Sequence, residues 1–392
     1  VGERDMDIGF FAPRHMDIGG GAVVRIAAML GRLGLSRPLI VTDPVMVKLG
    51  LVRRITDPLE AAGIVCAIFS DTVPEPVDTV VEAGVAAARG GAFDCLIGFG
   101  GGSPIDTAKA INILLAAEPG ARMRDFKVPV AADTAALPLI AVPTTAGTGS
   151  EATRFTVITD TQTDEKMLIA GLGALPLAAV VDYELTMSVP PRTTADTGID
   201  AFTHALEAYV SRRANPVSDA YARSAMRLIG ANLRKVWQTP QDREAREAMM
   251  LGATLAGLAF SNASVALVHG MSRPIGAHFH VPHGMSNAML LPAVTRYSLN
   301  AALPRYAESA RLAGFARADD ADQLAGARLI EALAAINAEL EVPTPQGFGV
   351  ARADWDALLP KMAEQALASG SPGNNPAVPD AAEIVRIYEE IF

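Results

Sequence analysis

The chain has 392 residues, which is too long for one small module and predicts two or three domains. Its 33 basic and 43 acidic residues give a net charge of −10, which argues against a nucleic-acid partner. Half of the residues are hydrophobic and only 19% are charged, which excludes a disordered chain. Cys66 and Cys95 form neither a metal-binding spacing nor a disulfide framework, so we expect a reducing, cytoplasmic location.

The first half of the chain alternates apolar, β-branched runs with helical segments. A helix is predicted over Val77–Arg89, because apolar residues recur there at helical spacing. Strands that alternate with helices predict a mostly parallel sheet covered on both faces. The predicted strands are Pro38–Thr42, Ile64–Phe69, Cys95–Phe99 and Leu137–Val142, with two more over Phe155–Thr159 and Ala178–Val181.

The second half changes character after Pro190-Pro191. From Thr193 onwards we find only helical patterns separated by proline and glycine, which predict an all-α region of about eight helices. The predicted domains are therefore an α/β domain over residues 1–188 and an all-helical domain over residues 189–392. The uncharged stretch 249–268 contains four polar side chains and two glycines, so we expect one or two buried helices there and no membrane span.

Two loops in the first half follow predicted strands. The segment 95–106, CLIGFGGGSPID, predicts a strand, a glycine turn and a helix over Thr107–Leu115, with free backbone N–H groups that suit a phosphate. Ser103 stands where the dinucleotide fingerprint has its third glycine, so a plain βα turn stays an alternative. The segment 143–151, PTTAGTGSE, is a second such loop or an ordinary Ser/Thr-rich turn. Two loops at the carboxyl ends of strands in one sheet indicate a shared crevice.

Asp43 follows the strand-like segment 39–42. A carboxylate at this place accepts hydrogen bonds from ribose hydroxyls and repels the extra phosphate of NADP, which favours NAD. The alternative is a structural role at a helix N-cap or in a turn.

The helical half contains two candidate metal ligands, Asp200 and His204. Their i, i+4 spacing places both side chains on one face of a helix. One carboxylate with imidazoles suits a divalent transition metal such as Fe(II) or Zn(II). A surface salt bridge is the alternative for an isolated pair, and four histidines within fifteen residues downstream weaken it.

The downstream histidines leave the other ligands open. His269 and His283 are fourteen residues apart, about 21 Å on one unbroken helix, which is too far to share an ion. Pro274 and Pro282 predict breaks that would let the two rings meet. His280 with His283, at i, i+3, is a rival pair, and spacing alone does not choose between His269 and His280.

Four motifs together resemble the iron-containing (group III) alcohol dehydrogenases, including their lactaldehyde/1,2-propanediol oxidoreductase branch. They are GGGSPIDTAKA at 100–110, PTTAGTGSE at 143–151, TGIDAFTHALEAY at 197–209, and HGM, P, GA and PHG within 269–284. The resemblance covers roughly residues 17–300 with order and spacing intact. It implies a Rossmann-like domain, a helical domain, a metal in the cleft between them, and a homodimer.

The resemblance also implies site residues. The implied metal ligands are Asp200, His204, His269 and His283, which favours His269 over His280. The implied contacts to NAD are Asp43, Gly101, Gly102, Ser103, Thr144, Thr145, Thr153, Phe155, Lys166 and Leu185. The implied reaction passes a hydride between the nicotinamide and an alcohol held at the metal.

One position departs from the family pattern. Many members carry a histidine assigned to proton transfer where this chain has Arg273, which cannot act as a base because it does not deprotonate at working pH. We expect His280 to be a replacement relay.

Several functions therefore compete. The leading one is a metal- and NAD-dependent alcohol dehydrogenase or aldehyde reductase that acts on a small molecule. The first alternative is a dehydrogenase or transhydrogenase for hydroxy or oxo acids, with Arg273 as carboxylate anchor. Less favoured are a metal-free maleylacetate-reductase type, a dehydroquinate-synthase-type lyase and a structural scaffold.

Overall fold

The N-terminal half is built on a parallel β-sheet. A computed structural model describes residues 8–392. The sheet has six parallel strands in the order β1-β8-β5-β4-β2-β3, and β6 pairs with β7 in a separate antiparallel hairpin. The strands are β1 His15–Ile18, β2 Pro38–Val41, β3 Ala67–Phe69, β4 Cys95–Gly100, β5 Leu139–Pro143, β6 Phe155–Asp160, β7 Glu165–Ala170 and β8 Ala178–Val181.

Helices cover both faces of this sheet. They are α1 Ile26–Leu33, α2 Pro44–Lys48, α3 Arg53–Ala61, α4 Asp78–Arg89 and α5 Gly102–Ala116. Alternate residues of a strand point to opposite faces, and in β2 Leu39 and Val41 join one hydrophobic core while Ile40 joins the other. This double burial explains why the central strands are continuous apolar runs, and the predicted parallel sheet is confirmed.

One local prediction about the first half was wrong, and two strands were missed. Helix α5 begins at Gly102 rather than Thr107, because Pro104 fits the first turn of a helix, where no intrahelical hydrogen bond is needed from its nitrogen. Strands β1 and β7 were not predicted, since His15–Ile18 is only four residues long and Glu165–Ala170 opens with two charged residues.

The C-terminal half is helical throughout, as predicted. Its described residues form ten α-helices rather than about eight, one of them a single turn. They are α6 Pro191–Val210, α7 Pro216–Gln238, α8 Arg243–Ala263, α9 Leu267–Phe279, α10 His283–Ser298, α11 Leu303–Leu312, α12 Asp322–Glu339, α13 Pro345–Phe348, α14 Arg352–Ala368 and α15 Ala381–Ile391.

The uncharged stretch 249–268 lies in α8 and the start of α9, and most of it is buried. In the part of the chain that the structure describes, no single helix is long and apolar enough to cross a bilayer. Helices α8 and α9 pass such a test only as a pair, and they meet at an angle of 103°.

Two glycines bring the α/β half against the helical half. Gly149, in the loop after β5, has a φ of 61°, and a Cβ on it would lie 2.6 Å from the Cα of Gly257 on α8. Only residues without a side chain allow this approach. The predicted domain boundary near residue 188 falls between the last strand and α6, and it stays a prediction.

Candidate functional site

A cavity of about 240 Å³ lies between the two halves of the molecule. Its α/β side includes Gly102 and Ser103 at the start of α5 and residues of the β6–β7 hairpin. Its helical side includes Asp200, His204, His269 and His283. The two motif groups of the sequence, glycine loops and metal-type side chains, therefore face one space.

The two loops emerge side by side because their strands are neighbours. Gly100 at the end of β4 is in register with Pro143 at the end of β5, and the backbone N–H of Thr144 donates to the carbonyl of Gly100 over 2.8 Å. Gly100 has a φ of 145°, a conformation that favours glycine. The predicted crevice lies at this carboxyl edge of the sheet.

The predicted cofactor residues fall into three places. Five of them line the cavity: Gly102, Ser103, Thr153, Phe155 and Lys166. Four cluster at the carboxyl ends of β2, β4 and β5 beside it: Asp43, Gly101, Thr144 and Thr145. Leu185 does neither, because it is buried in the hydrophobic core on one face of the sheet. We therefore leave Leu185 out of the proposed nucleotide site.

The position of Asp43 is compatible with both roles considered for it, the N-cap of a helix and the acceptor for a ribose hydroxyl. Its Oδ1 accepts hydrogen bonds from the N–H groups of Val45 (2.8 Å) and Met46 (2.9 Å), so it is the N-cap of α2. Its Oδ2 faces the glycine turn, where a Cβ on Gly100 would be 3.4 Å away. One oxygen caps the helix and the other points towards the crevice.

The four metal-type side chains come from three helices. Helix α6 supplies Asp200 and His204, α9 supplies His269, and α10 supplies His283. The Oδ1 of Asp200 lies 3.4 Å from Nε2 of His269 and 3.9 Å from Nε2 of both His204 and His283. Ligand atoms of Asp200, His269 and His283 all lie within 4.8 Å of one another.

The turn that brings His283 to this group differs from the predicted one. Pro274 does not end the helix, since α9 runs through it to Phe279. The chain turns at His280, which has a φ of 55°, and α10 begins at His283. His280 is exposed and does not line the cavity. The geometry therefore gives no support to the relay role expected for His280, or to a His280–His283 ligand pair.

Sequence reasoning missed Glu207, which holds His269 in place. Both side chains are buried, and the Nδ1 atom of His269 lies 2.6 Å from Oε2 of Glu207. The same carboxylate accepts hydrogen bonds from the backbone N–H groups of Ala266 and Val268. A ring that donates from Nδ1 to a carboxylate presents the lone pair of Nε2, which is the usual support for a metal-binding histidine. The signal was its position seven residues after Asp200, two turns along the same helix face.

The electrostatics of the group suit a cation. Burial would raise the pKa of the Asp200 carboxyl, but the imidazoles of His204, His283 and His269 hold it below its usual range. Burial lowers the pKa of His204 to about 4, so this ring is neutral at pH 7. Burial opposes a proton on His269 as well, yet Glu207 and Asp200 raise its pKa to about 9. At pH 7 and without a metal, His269 therefore carries a proton on Nε2 as well, and a metal ion would take the place of that proton beside the buried carboxylate.

Arg273 lies one turn beyond His269 and lines the cavity. Its Nη1 donates to Oγ of Ser371 over 3.2 Å. Among residues 8–392, no carboxylate oxygen lies within 4.0 Å of the guanidinium. A protein carboxylate is therefore not its direct partner.

A buried lysine fixes the cavity wall that Thr153 and Phe155 form. The Nζ atom of Lys109 donates to the carbonyl and hydroxyl oxygens of Thr153 over 3.0 Å and to the carbonyl of Phe155 over 2.7 Å. Nearby, Asp106 accepts from Oγ of Ser150 (2.6 Å) and lines the cavity. On the same side the ammonium of Lys166 pairs with Glu75 at 2.7 Å.

The cleft combines a Rossmann-like sheet and a glycine loop with a cluster of Asp and His side chains suited to a metal ion. This combination defines a class of protein, the nucleotide-dependent oxidoreductases with a metal site. The profile described as "Iron-containing alcohol dehydrogenase" matches residues 13–183, and that of the C-terminal part of the Fe-containing alcohol dehydrogenase family matches residues 194–392. The chain belongs to the iron-containing alcohol dehydrogenase family, whose members are oxidoreductases acting on a CH–OH group.

Individual relatives agree with this membership. Long-chain-alcohol dehydrogenase 1 of Geobacillus thermodenitrificans is 41% identical over 97% of this chain and 95% of its own. The NAD-dependent methanol dehydrogenase of Bacillus methanolicus is 37% identical over 96% of this chain and 98% of its own. The crystal structure of a 1,3-propanediol oxidoreductase superposes with a TM-score of 0.93, at 36% identity, covering 98% of this chain and 100% of that one. These relatives favour an alcohol dehydrogenase over the hydroxy-acid alternative.

Proposed function

We propose that the protein interconverts an alcohol and its aldehyde or ketone with NAD at a divalent metal held by Asp200, His204, His269 and His283. The observation that carries this proposal is their convergence on one cavity, whose other wall holds the glycine turn at Gly102. The reactants of a hydride transfer must lie in contact. A cavity with a nucleotide-type loop on one side and a metal-type cluster on the other meets that need.

The chemistry of the donor set fits a divalent transition metal. One carboxylate and three imidazole nitrogens are ligands that Fe(II) and Zn(II) accept. Glu207 supports His269 in the way that metal-binding histidines require. Because both matched family profiles are iron-containing, we propose Fe(II) as the resident metal. When bound, such a metal polarises the substrate oxygen, and the nicotinamide carries the hydride.

The chain's own residues provide the surroundings of the reaction. Phe260 stacks on the ring of His204 with centroids 4.2 Å apart, and this contact restricts the orientation of the ring. Phe155, Phe260 and Val265 give the cavity apolar walls that exclude water from the reacting atoms. Asp200 holds a negative charge that balances part of the charge of a cation in a buried site.

The proposed cofactor preference is NAD. The Oδ2 of Asp43 faces the crevice at the carboxyl edge of the sheet, where a ribose hydroxyl can donate to it and an added phosphate meets like charge.

A homodimer in the cytoplasm is a further part of the proposal. It rests on the family resemblance and on Cys66 and Cys95, both free thiols in the described chain. Light scattering of the purified protein tests the dimer: a mass near 41 kDa, that of one chain, would contradict it.

The function is tested with metal-reconstituted protein. NADH formation is followed on a panel of short alcohols, long-chain alcohols, diols and hydroxy acids. We expect one divalent metal per chain and activity on alcohols, and His204→Ala should lose both. The matched control is His278→Ala, because His278 bonds Gln365 and does not line the cavity. Full metal content in the His204→Ala protein would show that the ligand set is wrong.

A further inference from the structure

Arg154 and Ser261 join the two halves of the molecule just outside the cavity. Arg154 comes one residue before Phe155, the first residue of β6, and Ser261 comes one residue after Phe260 on α8. The backbone N–H of Arg154 donates to Oγ of Ser261 over 3.2 Å, and its Nε donates to the carbonyl of Ser261 over 3.4 Å. These bonds therefore connect the halves at the neighbours of two residues that line the cavity, Phe155 and Phe260.

The rings of Phe155 and Phe260 form one apolar wall across this junction. Their centroids are 6.3 Å apart and their planes differ by only 9°, which is the geometry of an aromatic pair in contact. The ring of Phe260 also stacks on that of His204. Because the two phenyl rings touch, the carbon chain of a substrate does not pass between them, and their contact closes the cavity on this side.

The side chain of Arg154 lies against two aromatic rings. Its Cζ atom is 4.6 Å from the centroid of the Phe11 ring and 5.7 Å from that of the Phe155 ring. Both distances fall within the range of a cation–π contact, about 6 Å. Among residues 8–392, no carboxylate oxygen lies within 4.0 Å of this guanidinium. Its packing on the rings, and not an ion pair, therefore holds it in place.

Phe11 is itself fixed to the helical half. Its backbone N–H donates to Oδ1 of Asn262 over 2.7 Å, and its carbonyl accepts from Nδ2 of the same side chain over 2.9 Å. The neighbouring Phe10 stacks on Tyr221 of α7, with centroids 5.5 Å apart. The segment before β1 is thus held against α7 and α8, and it presents the Phe11 ring to Arg154.

We propose that Arg154 is a positioning residue that holds Phe155 against Phe260 and thereby sets the size of the substrate that the cavity accepts. This inference rests on the proposed function. Removing the Arg154 side chain would leave a void next to the Phe155 ring. Phe260 is buried and also packs on His204, whereas Phe155 is only half-buried. Phe155 is therefore the ring that would move, and the cavity would widen at the junction of the halves.

The first test compares a small and a bulky alcohol, 1-propanol and benzyl alcohol, on metal-reconstituted protein with NAD. In Arg154→Ala the ratio of kcat/KM for 1-propanol over benzyl alcohol should fall about tenfold, because a difference of one methylene in an apolar pocket changes discrimination by about 10–200-fold. Phe155→Leu, which opens the wall directly, should shift the ratio in the same direction. An equal loss of kcat/KM on both alcohols in Arg154→Ala would mean a purely structural role and would overturn the proposal.

The matched control is Arg213→Ala. Arg213 is exposed, lies close enough to Arg154 to repel its charge, and does not line the cavity. This variant should keep the wild-type ratio. A ratio in Arg213→Ala that shifts as far as in Arg154→Ala would assign the effect to surface charge and would overturn the proposal.

Two substitutions of Phe11 test the contact behind the wall. Phe11→Tyr keeps a ring against the guanidinium, so it should retain the wild-type ratio. Phe11→Leu keeps an apolar side chain without the ring, so it should shift the ratio in the direction of Arg154→Ala. A wild-type ratio in Phe11→Leu would exclude Phe11 from the device and would contradict the proposed packing.

A second measurement needs neither metal nor substrate. Hydrogen–deuterium exchange of the metal-free protein should be faster over residues 150–157 and 258–264 in Arg154→Ala than in Arg213→Ala, since losing the contact lets both segments open locally. Equal exchange in the two variants would overturn the role of Arg154 whatever the kinetics. A wild-type protein that oxidises no alcohol would instead overturn the proposed function, and the exchange experiment would still decide whether Arg154 holds the wall.

Discussion

Glu207 and His269 are joined by a buried contact of 2.6 Å between Oε2 and Nδ1, and the same carboxylate also receives the first backbone N–H groups around α9. The carboxylate thus fixes both the ring and the start of the helix that carries it. Glutamine offers one acceptor oxygen in place of two, so one of these donors would face an NH₂ group.

We therefore expect Glu207→Gln to lower metal affinity by about 10–100-fold, because the support of a metal-binding histidine is worth that much. Chelator competition on the purified protein measures this loss. The control is Glu308→Gln, since Glu308 pairs with Tyr209 and Arg223 and does not line the cavity. Metal affinity equal to wild type in Glu207→Gln would show that the contact is structural only.

Asp43 gives a prediction on cofactor choice that separates charge from helix capping. Asn is as good an N-cap as Asp, so Asp43→Asn should retain α2 and lose only the negative charge. We expect this variant to shift the ratio of kcat/KM for NADH over NADPH towards NADPH by about tenfold, which corresponds to about 1.4 kcal/mol. Asp43→Ala should show the same shift and also lose about 1 kcal/mol of stability. An unchanged ratio in Asp43→Asn would mean that the carboxylate does not meet the ribose.

Arg273 gives a prediction on substrate charge. Burial lowers the pKa of its guanidinium, and no carboxylate among the described residues contacts it. We expect Arg273→Ala to raise KM for aldehydes that carry a carboxylate by about 10–100-fold, the range for a hydrogen bond to a charged group. For neutral aldehydes the change should be much smaller. Equal changes for both substrate types would assign Arg273 to packing with Ser371.

Lys109 gives a prediction on pH and stability. Burial lowers its pKa to about 8 in the folded protein from 10.5, its value in an exposed chain. Between these pH values the unfolded chain binds more protons than the folded one, so this residue makes the free energy of unfolding rise with pH. The comparison is urea unfolding of wild type and Lys109→Met at pH 7.5 and pH 10. Stability of wild type relative to the variant should increase over this interval, and a decrease would contradict the lowered pKa.

The main features of the fold were predictable because they depend on local patterns. Apolar β-branched runs predicted the central strands, and the i, i+4 spacing of Asp200 and His204 placed both on one helix face. The path of the chain from His269 to His283 was not predictable from the sequence. A proline such as Pro274 can end a helix or lie within it, and tertiary packing determines which of the two occurs. His280 shows the same limit: its proximity in sequence to His283 says nothing about the left-handed turn that leaves it exposed.

Supporting residues were harder to find than ligands. The spacing from Asp200 places Glu207 on the metal-facing side of α6, but its partners Ala266 and Val268 lie 59 and 61 residues further along the chain, so local spacing does not identify what it contacts. Leu185 shows what a family position transferred by motif leaves open, since its side chain lies in the hydrophobic core and its contact with NAD stays a prediction.

The contact between Gly149 and Gly257 has a consequence for redesigning the substrate range. Because backbone meets backbone there, the separation of the two halves depends on van der Waals radii and has no rotamer through which it can relax. A methyl group at either position would push the loop 143–151 away from the helical half, which carries the proposed metal ligands. A displacement of about 1 Å can reduce a reaction rate about 100-fold. Larger or smaller substrates are therefore better accommodated by exchanging the apolar walls Phe155, Phe260 and Val265. The width of the cleft itself should be kept as a fixed dimension.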